Sequence, residues 1–220
     1  MQLETGKKKE FSVILSKSGN GKTVLEFFLI KAKQMPTLIV DNYNQFKGAH
    51  KSLKQLTAYF LDFENVEDFK TYNRQILVKL KPNEAGEFYE YLLNSRFLAG
   101  SLIVNDEIDL TLGTSNVQPA HPFYQFCNRG RHLEYKFIAT ARATQNIPKV
   151  LTQQTDIYYI GRVQNKPMLE YLESNTNIKN IDKITAELEE YQYIRYNTST
   201  EDTHKFKIDF GLMSVFDDTI

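Results

Sequence analysis

The chain has one cysteine in 220 residues, Cys127, so an internal disulfide framework is excluded and a reducing compartment is expected. Cys127 itself reads as a small buried side chain. No stretch approaches the ~18 continuous apolar residues of a membrane-spanning helix, and the opening MQLETGKKKEF lacks the apolar centre of a signal peptide. A soluble, cytosolic chain is expected. Net charge is missing too: 27 Lys and Arg balance 27 Asp and Glu. With no global basic field to recruit nucleic acid, any polyanion site must be a local patch. The histidines, His50, His121, His132 and His204, are scattered without cysteine partners, which argues against a zinc site.

What the sequence does have is a regular alternation of strand and helix patterns. Residues 11–15 form a short apolar run, a glycine-containing loop follows, and a helical pattern extends over 22–33. MPTLIVDN (35–42) reads as a buried strand ending in Asp41. The segment 43–60 reads as a polar helix, in which Lys47, Lys51 and Lys54 fall at i, i+4 and i+7 and form a basic stripe. A solvated face is the plain reading of that stripe and a nucleic-acid contact the functional one. RQILVKL (74–80) predicts a strand, and NEAGEFYEYLLNSRF (83–97) an amphipathic helix with Phe88, Tyr91 and Leu92 inward. GSLIVNDEIDL (100–110) predicts a buried strand closing in Asp106 and Glu107, followed by a polar loop over 110–122. Beyond it come a helix ending near Gly130, the strand EYKFIATAR, the short helix PKVLTQQ and the strand TDIYYIGRV. The tail carries two helices, KPMLEYLES and DKITAELEE, then two strands, QYIRYN and HKFKIDF, around the turn TSTEDT. The pattern predicts an α/β fold with a mostly parallel central sheet flanked by helices. The length suits one domain over 1–220, with a core of about 10–163 and an appended tail over 164–220.

SKSGNGKT (16–23) sits where the strand gives way to the helix, the context of the phosphate-loop pattern G-x-x-x-x-G-K-[ST]. Gly21, Lys22 and Thr23 match it, while Ser16 replaces the leading glycine, a turn that serine can make with a negative φ. Backbone N–H groups from Ser18, Gly19, Asn20, Gly21, Lys22 and Thr23 are expected to wrap a β-phosphate, with Val24 beside the nucleotide. Lys22 would reach the β- and γ-phosphates and the Thr23 hydroxyl would ligate Mg2+. Lys17 also suggests the deviant loops of partition-type ATPases, although those carry a Gly-Gly pair where this chain has Ser18 and Gly19. LIVNDE (102–107) has the form of a Walker B strand end: Asp106 suits the metal shell and Glu107, one residue on, the base that activates water.

The segment NRGRHLEYKFIATARATQNIPKVLTQQTDIYYIGRV (128–163) resembles the HerA/FtsK superfamily of ring ATPases. There, an arginine-bearing helix end precedes a strand closing in Ala-Thr-Gln-Arg, then a helix with a Leu-Ser/Thr-Gln pattern and another strand. The likeness covers about 10–163 and is strongest to the genome-packaging ATPases of tailless, membrane-containing viruses; filamentous-phage assembly motors are similar too. It implies a RecA-like P-loop NTPase fold, ATP and Mg2+ as cofactors, and a homo-oligomeric, hexameric ring that moves nucleic acid, with DNA the expected form. Arg129 or Arg131 would be the finger offered to a neighbouring subunit. The family's sensor glutamine falls on Ala141, leaving Thr140, Arg142 or Gln145 for that role. A capsid or membrane protein would dock the ring, in the host cytoplasm or the virion. Lys47, Lys51, Lys54 and the loop 110–122 would face nucleic acid, with Glu187, Glu189 and Glu190 outward. The rival readings are an assembly or export ATPase, and a small-molecule kinase in which Asp41 holds the acceptor hydroxyl and Arg129, Arg131 and Arg142 form a lid.

Overall fold

The computed structural model describes residues 10–81, 83–113, 116–142 and 144–208. Nine strands run through them: β1 (Phe11–Leu15), β2 (Thr37–Val40), β3 (His50–Ser52), β4 (Gln75–Lys79), β5 (Leu102–Asn105), β6 (Lys136–Ala141), β7 (Ile157–Ile160), β8 (Gln192–Asn197) and β9 (Thr203–Lys207). They form one sheet in the order β3-β4-β2-β5-β6-β1-β7-β8-β9. The first seven in that order are parallel, and β8 and β9 add an antiparallel ribbon. β1, β2, β5 and β7 are buried at every position, as continuous apolar strands covered on both faces must be.

Alternation along each strand divides the core between the two faces. Val13, Leu15, Leu38, Val40, Ile103 and Phe137 enter one cluster and Ile14, Ile39, Leu102, Val104 and Ile138 the other. The first face is covered by α4 (Ala85–Asn94), α6 (Pro122–Arg129), α7 (Lys149–Gln154) and α8 (Lys166–Asn175), through Phe88, Phe126, Leu151 and Leu172. The second is covered by α1 (Lys22–Lys33), through Leu25, Leu29 and Ile30, beside Tyr193 of β8. Further helices are α2 (Leu53–Tyr59), α3 (Phe63–Thr71), α5 (Ile108–Leu112) and α9 (Ile181–Ala186). Among the described residues, no helix is long and apolar enough to cross a membrane.

Three expectations need correction. Residues 43–60 are not one helix: a loop leads to β3, and α2 starts only at Leu53, where Ser52 and Gln55 close a reciprocal capping box. Lys47 is therefore in a loop, Lys51 in a strand and Lys54 in the first turn of α2, so the basic stripe does not form. Residues 110–122 are not all loop, because α5 continues to Leu112 and stops at Gly113 in a left-handed conformation (φ 67°). In α4 the inward tyrosine is Tyr89, packed on Phe123 and Phe126 with ring centroids 4.7 and 5.1 Å apart; Tyr91 is only partly buried. The opening residues 1–9, Thr114 and Ser115 of the 110–122 segment, and the end of HKFKIDF lie outside the described residues.

Candidate active site

The parallel sheet brings the carboxyl ends of β1, β2, β5 and β6 to one edge, where open α/β sheets bind ligands. At the end of β1 the chain turns through residues 16–21 into α1. Gly19 (φ 77°) and Gly21 (φ 79°) take the left-handed conformation that the turn requires, whereas Ser16 does not and needs no glycine. Gly21 caps α1 without a side-chain bond, and the first turn carries no acid, so the helix presents free N–H groups and its positive end to the loop. Lys22 folds over the loop, its Nζ 2.9 Å from Ser16 O and 3.4 Å from Lys17 O. Burial lowers its pKa, and the nearby Glu107, Asp106 and Glu26 carboxylates oppose that shift.

At the end of β5, Asp106 is buried and its Oδ1 accepts from the Thr140 hydroxyl at 2.8 Å. The same hydroxyl accepts from Glu107 N at 2.8 Å. Burial raises Asp106 to about 6, with the Thr140 bond lowering it and Glu107 raising it further. Glu107 stands in a left-handed conformation (φ 59°, ψ 59°), which costs a non-glycine residue roughly 1–2 kcal/mol, and it opens α5. Its Oε1 accepts from Arg142 Nε, while its Oε2 and Asp106 Oδ2 are buried without a hydrogen-bond donor. Orphaned carboxylate oxygens beside a phosphate-type loop fit a divalent cation, for which Thr23 and Asp106 are the ligands at hand. Among the described residues no three His, Cys, Asp or Glu side chains form a closed metal group, so such a cation would keep water ligands.

No family model and no curated protein matches the sequence. Solved structures do match the fold. The genome packaging NTPase of Sulfolobus turreted icosahedral virus 2, in complex with ATP-gammaS, superposes with a TM-score of 0.71 at 15% identity, over 90% of this chain and 97% of that one. The chain has the P-loop NTPase fold. VirB4 of Thermoanaerobacter pseudethanolicus matches at TM-score 0.61 and 10% identity, over 91% of this chain and 89% of that one. The N-terminal domain of zonular occludens toxin from Neisseria meningitidis gives 0.53 and 12%, over 94% and 97%. At these identities the likeness is one of fold.

Within the P-loop NTPase fold, the other residues expected at a site separate into two groups. Arg142 and Gln145 follow β6 at the loop-bearing edge; Arg142 is 52% exposed, lies over the Tyr43 ring and holds Glu107, and Gln145 is exposed. Arg129 and Arg131 lie before β6, beyond the opposite edge. Arg129 is exposed at the end of α6. Arg131 binds Asp156 Oδ2 at 2.8 Å and Gln154 O and covers the Phe11 ring, all at the amino ends of β1 and β7. Neither arginine faces the phosphate loop of this chain. Asp41, at the end of β2, is fully buried and accepts from Gln45 N, Phe46 N and His50 Nε2 at 2.8–3.0 Å. Lys47 and Lys54 are exposed, and Lys51 lies over the Tyr59 ring at 4.6 Å. Glu187, Glu189 and Glu190 are exposed.

Sequence reasoning missed two features. The first is a brace on the loop from the C-terminal part of the chain: Tyr193 OH donates to Asn20 O at 2.6 Å, Lys17 N donates to Arg162 O at 2.9 Å, and the Tyr191 ring covers Gly21 so closely that a Cβ there would lie 2.5 Å from it. No local pattern announces contacts across 173 residues. The second is Glu26, fully buried in α1 and raised well above the carboxylate range by burial and by Asp106 beside it. Its signal was available, as the one acid in the apolar run VLEFFLI, one helical turn after Lys22.

Proposed function

We propose that the protein is a Mg2+-dependent ATPase acting as a subunit of a ring that translocates nucleic acid, in the manner of a viral genome packaging motor. The observation that carries this reading is the convergence of Lys22, Asp106 and Glu107 at one sheet edge, with Glu107 fixed by its backbone, by Thr140 and by Arg142. In it, the loop N–H groups and Lys22 hold the β- and γ-phosphates. Thr23 and Asp106 would hold Mg2+, which when bound would supply positive charge at the phosphate oxygens. Glu107 takes a proton from the attacking water as oxygen bonds to the γ-phosphorus and the bond to the β–γ bridging oxygen breaks. An adjacent buried carboxylate favours water over an alcohol acceptor, and Asp41, fully buried and already serving three donors, offers no open face to an acceptor hydroxyl. Both points weigh against a kinase.

Likeness to a genome packaging NTPase supports the packaging role. A ring supplies what a lone subunit lacks, since Arg129 and Arg131 reach a phosphate loop only if the loop belongs to a neighbour. Lys47, Lys54 and the 110–122 segment are the nucleic-acid contacts in this reading. The test is steady-state ATP hydrolysis with and without single- and double-stranded DNA. Stimulation by DNA is expected, with a loss of at least ~100-fold in Glu107→Gln. Hydrolysis indifferent to DNA would instead favour an assembly or export ATPase, and a phosphorylated metabolite would favour a kinase.

A further inference from the structure

α1 places Lys22, Thr23 and Glu26 on one face, because residues three and four apart on a helix are neighbours. Helical side chains lean toward the amino end, which for Glu26 is the end that carries the phosphate loop. The Glu26 carboxyl has no exposed surface, and neither of its oxygens meets a donor. What lies beside it is Asp106, whose Oδ2 is orphaned as well: no donor group of the protein reaches either Glu26 oxygen or that one.

This is not how the protein treats a buried acid that only holds structure. Asp41, equally buried, receives two backbone N–H groups and an imidazole. Even protonated, a buried carboxyl with no partner among Leu25, Leu29 and Ile30 costs ~1–3 kcal/mol that a leucine would avoid. The Lys22 ammonium donates to Ser16 O and Lys17 O rather than to Glu26, which leaves both Glu26 oxygens without a cationic partner.

We propose that Glu26 is a positioning residue of the cation site, accepting a hydrogen bond from a metal-bound water and holding the ion against Asp106. The proposal rests on the ATPase reading and adds a carboxylate to it. Contact through water follows from the lack of a closed three-ligand group among the described residues and from the reluctance of Mg2+ to shed its water. Groups that orient metal ligands in this way typically account for ~10–100-fold in metal affinity.

The experiment uses the whole chain with the non-hydrolysable analogue AMPPCP and Mn2+ as a paramagnetic stand-in for Mg2+. Mn2+ affinity of the analogue-bound protein is read by electron paramagnetic resonance, and analogue affinity without metal by calorimetry in EDTA. Glu26→Gln keeps size and one accepting oxygen but cannot ionise beside a metal; it is expected to weaken Mn2+ about tenfold or more while leaving metal-free analogue affinity as in the wild type. Glu26→Asp, with its carboxylate drawn back by one methylene, is expected to fall between and serves alone if the glutamine variant does not fold. Unchanged Mn2+ affinity in a variant that binds the analogue normally would overturn the proposal and make Glu26 a purely structural acid. Equal losses with and without metal would overturn it in favour of a role in loop architecture. A wild-type chain that binds no analogue under either condition brings down the ATPase reading itself.

Discussion

Thr140 stands on the strand between the phosphate loop and the acidic strand end, and its one hydroxyl serves both Asp106 Oδ1 and Glu107 N. Valine has nearly the same shape but leaves a buried carboxylate oxygen and a buried N–H unpaired, at ~1–3 kcal/mol each. Thr140→Val is therefore expected to lower stability to urea by roughly 2 kcal/mol or more. ATP turnover should fall further than ATP affinity, since the Lys22 side of the site stays intact; Thr140→Ser is expected to restore both. Equal turnover in Thr140→Val would show that Glu107 keeps its position without this bond. At this scale the sequence was legible wherever residue type and spacing mark a position: the two motifs lie at the carboxyl ends of β1 and β5, on one edge of the sheet. It was illegible where a role depends on a partner. Thr140 and Arg142 were equal candidates to sense a phosphate, and only their bonds to the acidic pair separate them from Gln145.

Elements with both a start signal and a stop signal were readable. α1 begins behind Gly21 and α6 behind His121 with Pro122 as its first residue, and both lie where the pattern places them. α3 went unread because its sequence, FENVEDFKT, is mostly polar and buries only Phe69 fully. α5 was hidden by the left-handed turn at Glu107, which starts a new helix inside what reads as the end of a strand. The cap of α6 carries a pH prediction. His121 Nδ1 accepts from Phe123 N at 3.1 Å, which only a neutral imidazole can do, and burial holds its pKa below the ordinary 6.5. For a base whose folded pKa is depressed, the unfolded chain binds the proton first as pH falls. The stabilisation is thus complete above pH 6.5 and lost as pH drops through the folded value. Asparagine caps a helix at any pH. His121→Asn should match the wild type in urea unfolding at pH 8 and exceed it by about 1 kcal/mol near pH 5. Identical pH profiles would show that the imidazole bond contributes nothing.

At the scale of the whole molecule, the C-terminal ribbon belongs to the phosphate loop as much as to the sheet. Tyr193, on β8, reaches Asn20 O, and its loss should be felt at both places. Tyr193→Phe is expected to cost ~1 kcal/mol of stability, the usual net worth of such a bond, and to weaken binding of an ATP analogue several-fold. Stability lost with binding unchanged would mean that the loop holds its shape without the ribbon. By itself the sequence determined the alternation of strands and helices, the parallel centre of the sheet, and the two short motifs at strand ends, because each is encoded by local period, by glycine at left-handed positions and by residue chemistry. Tertiary structure alone decided the order of strands, which places β6 between β1 and β5 and so sets Thr140 between loop and acids. It likewise decided which arginines face the site and which face away, the breakup of the lysine stripe, and the meeting of Glu26 with Asp106. Those are contacts between residues far apart along the chain, fixed by how whole elements pack, and no local pattern specifies them.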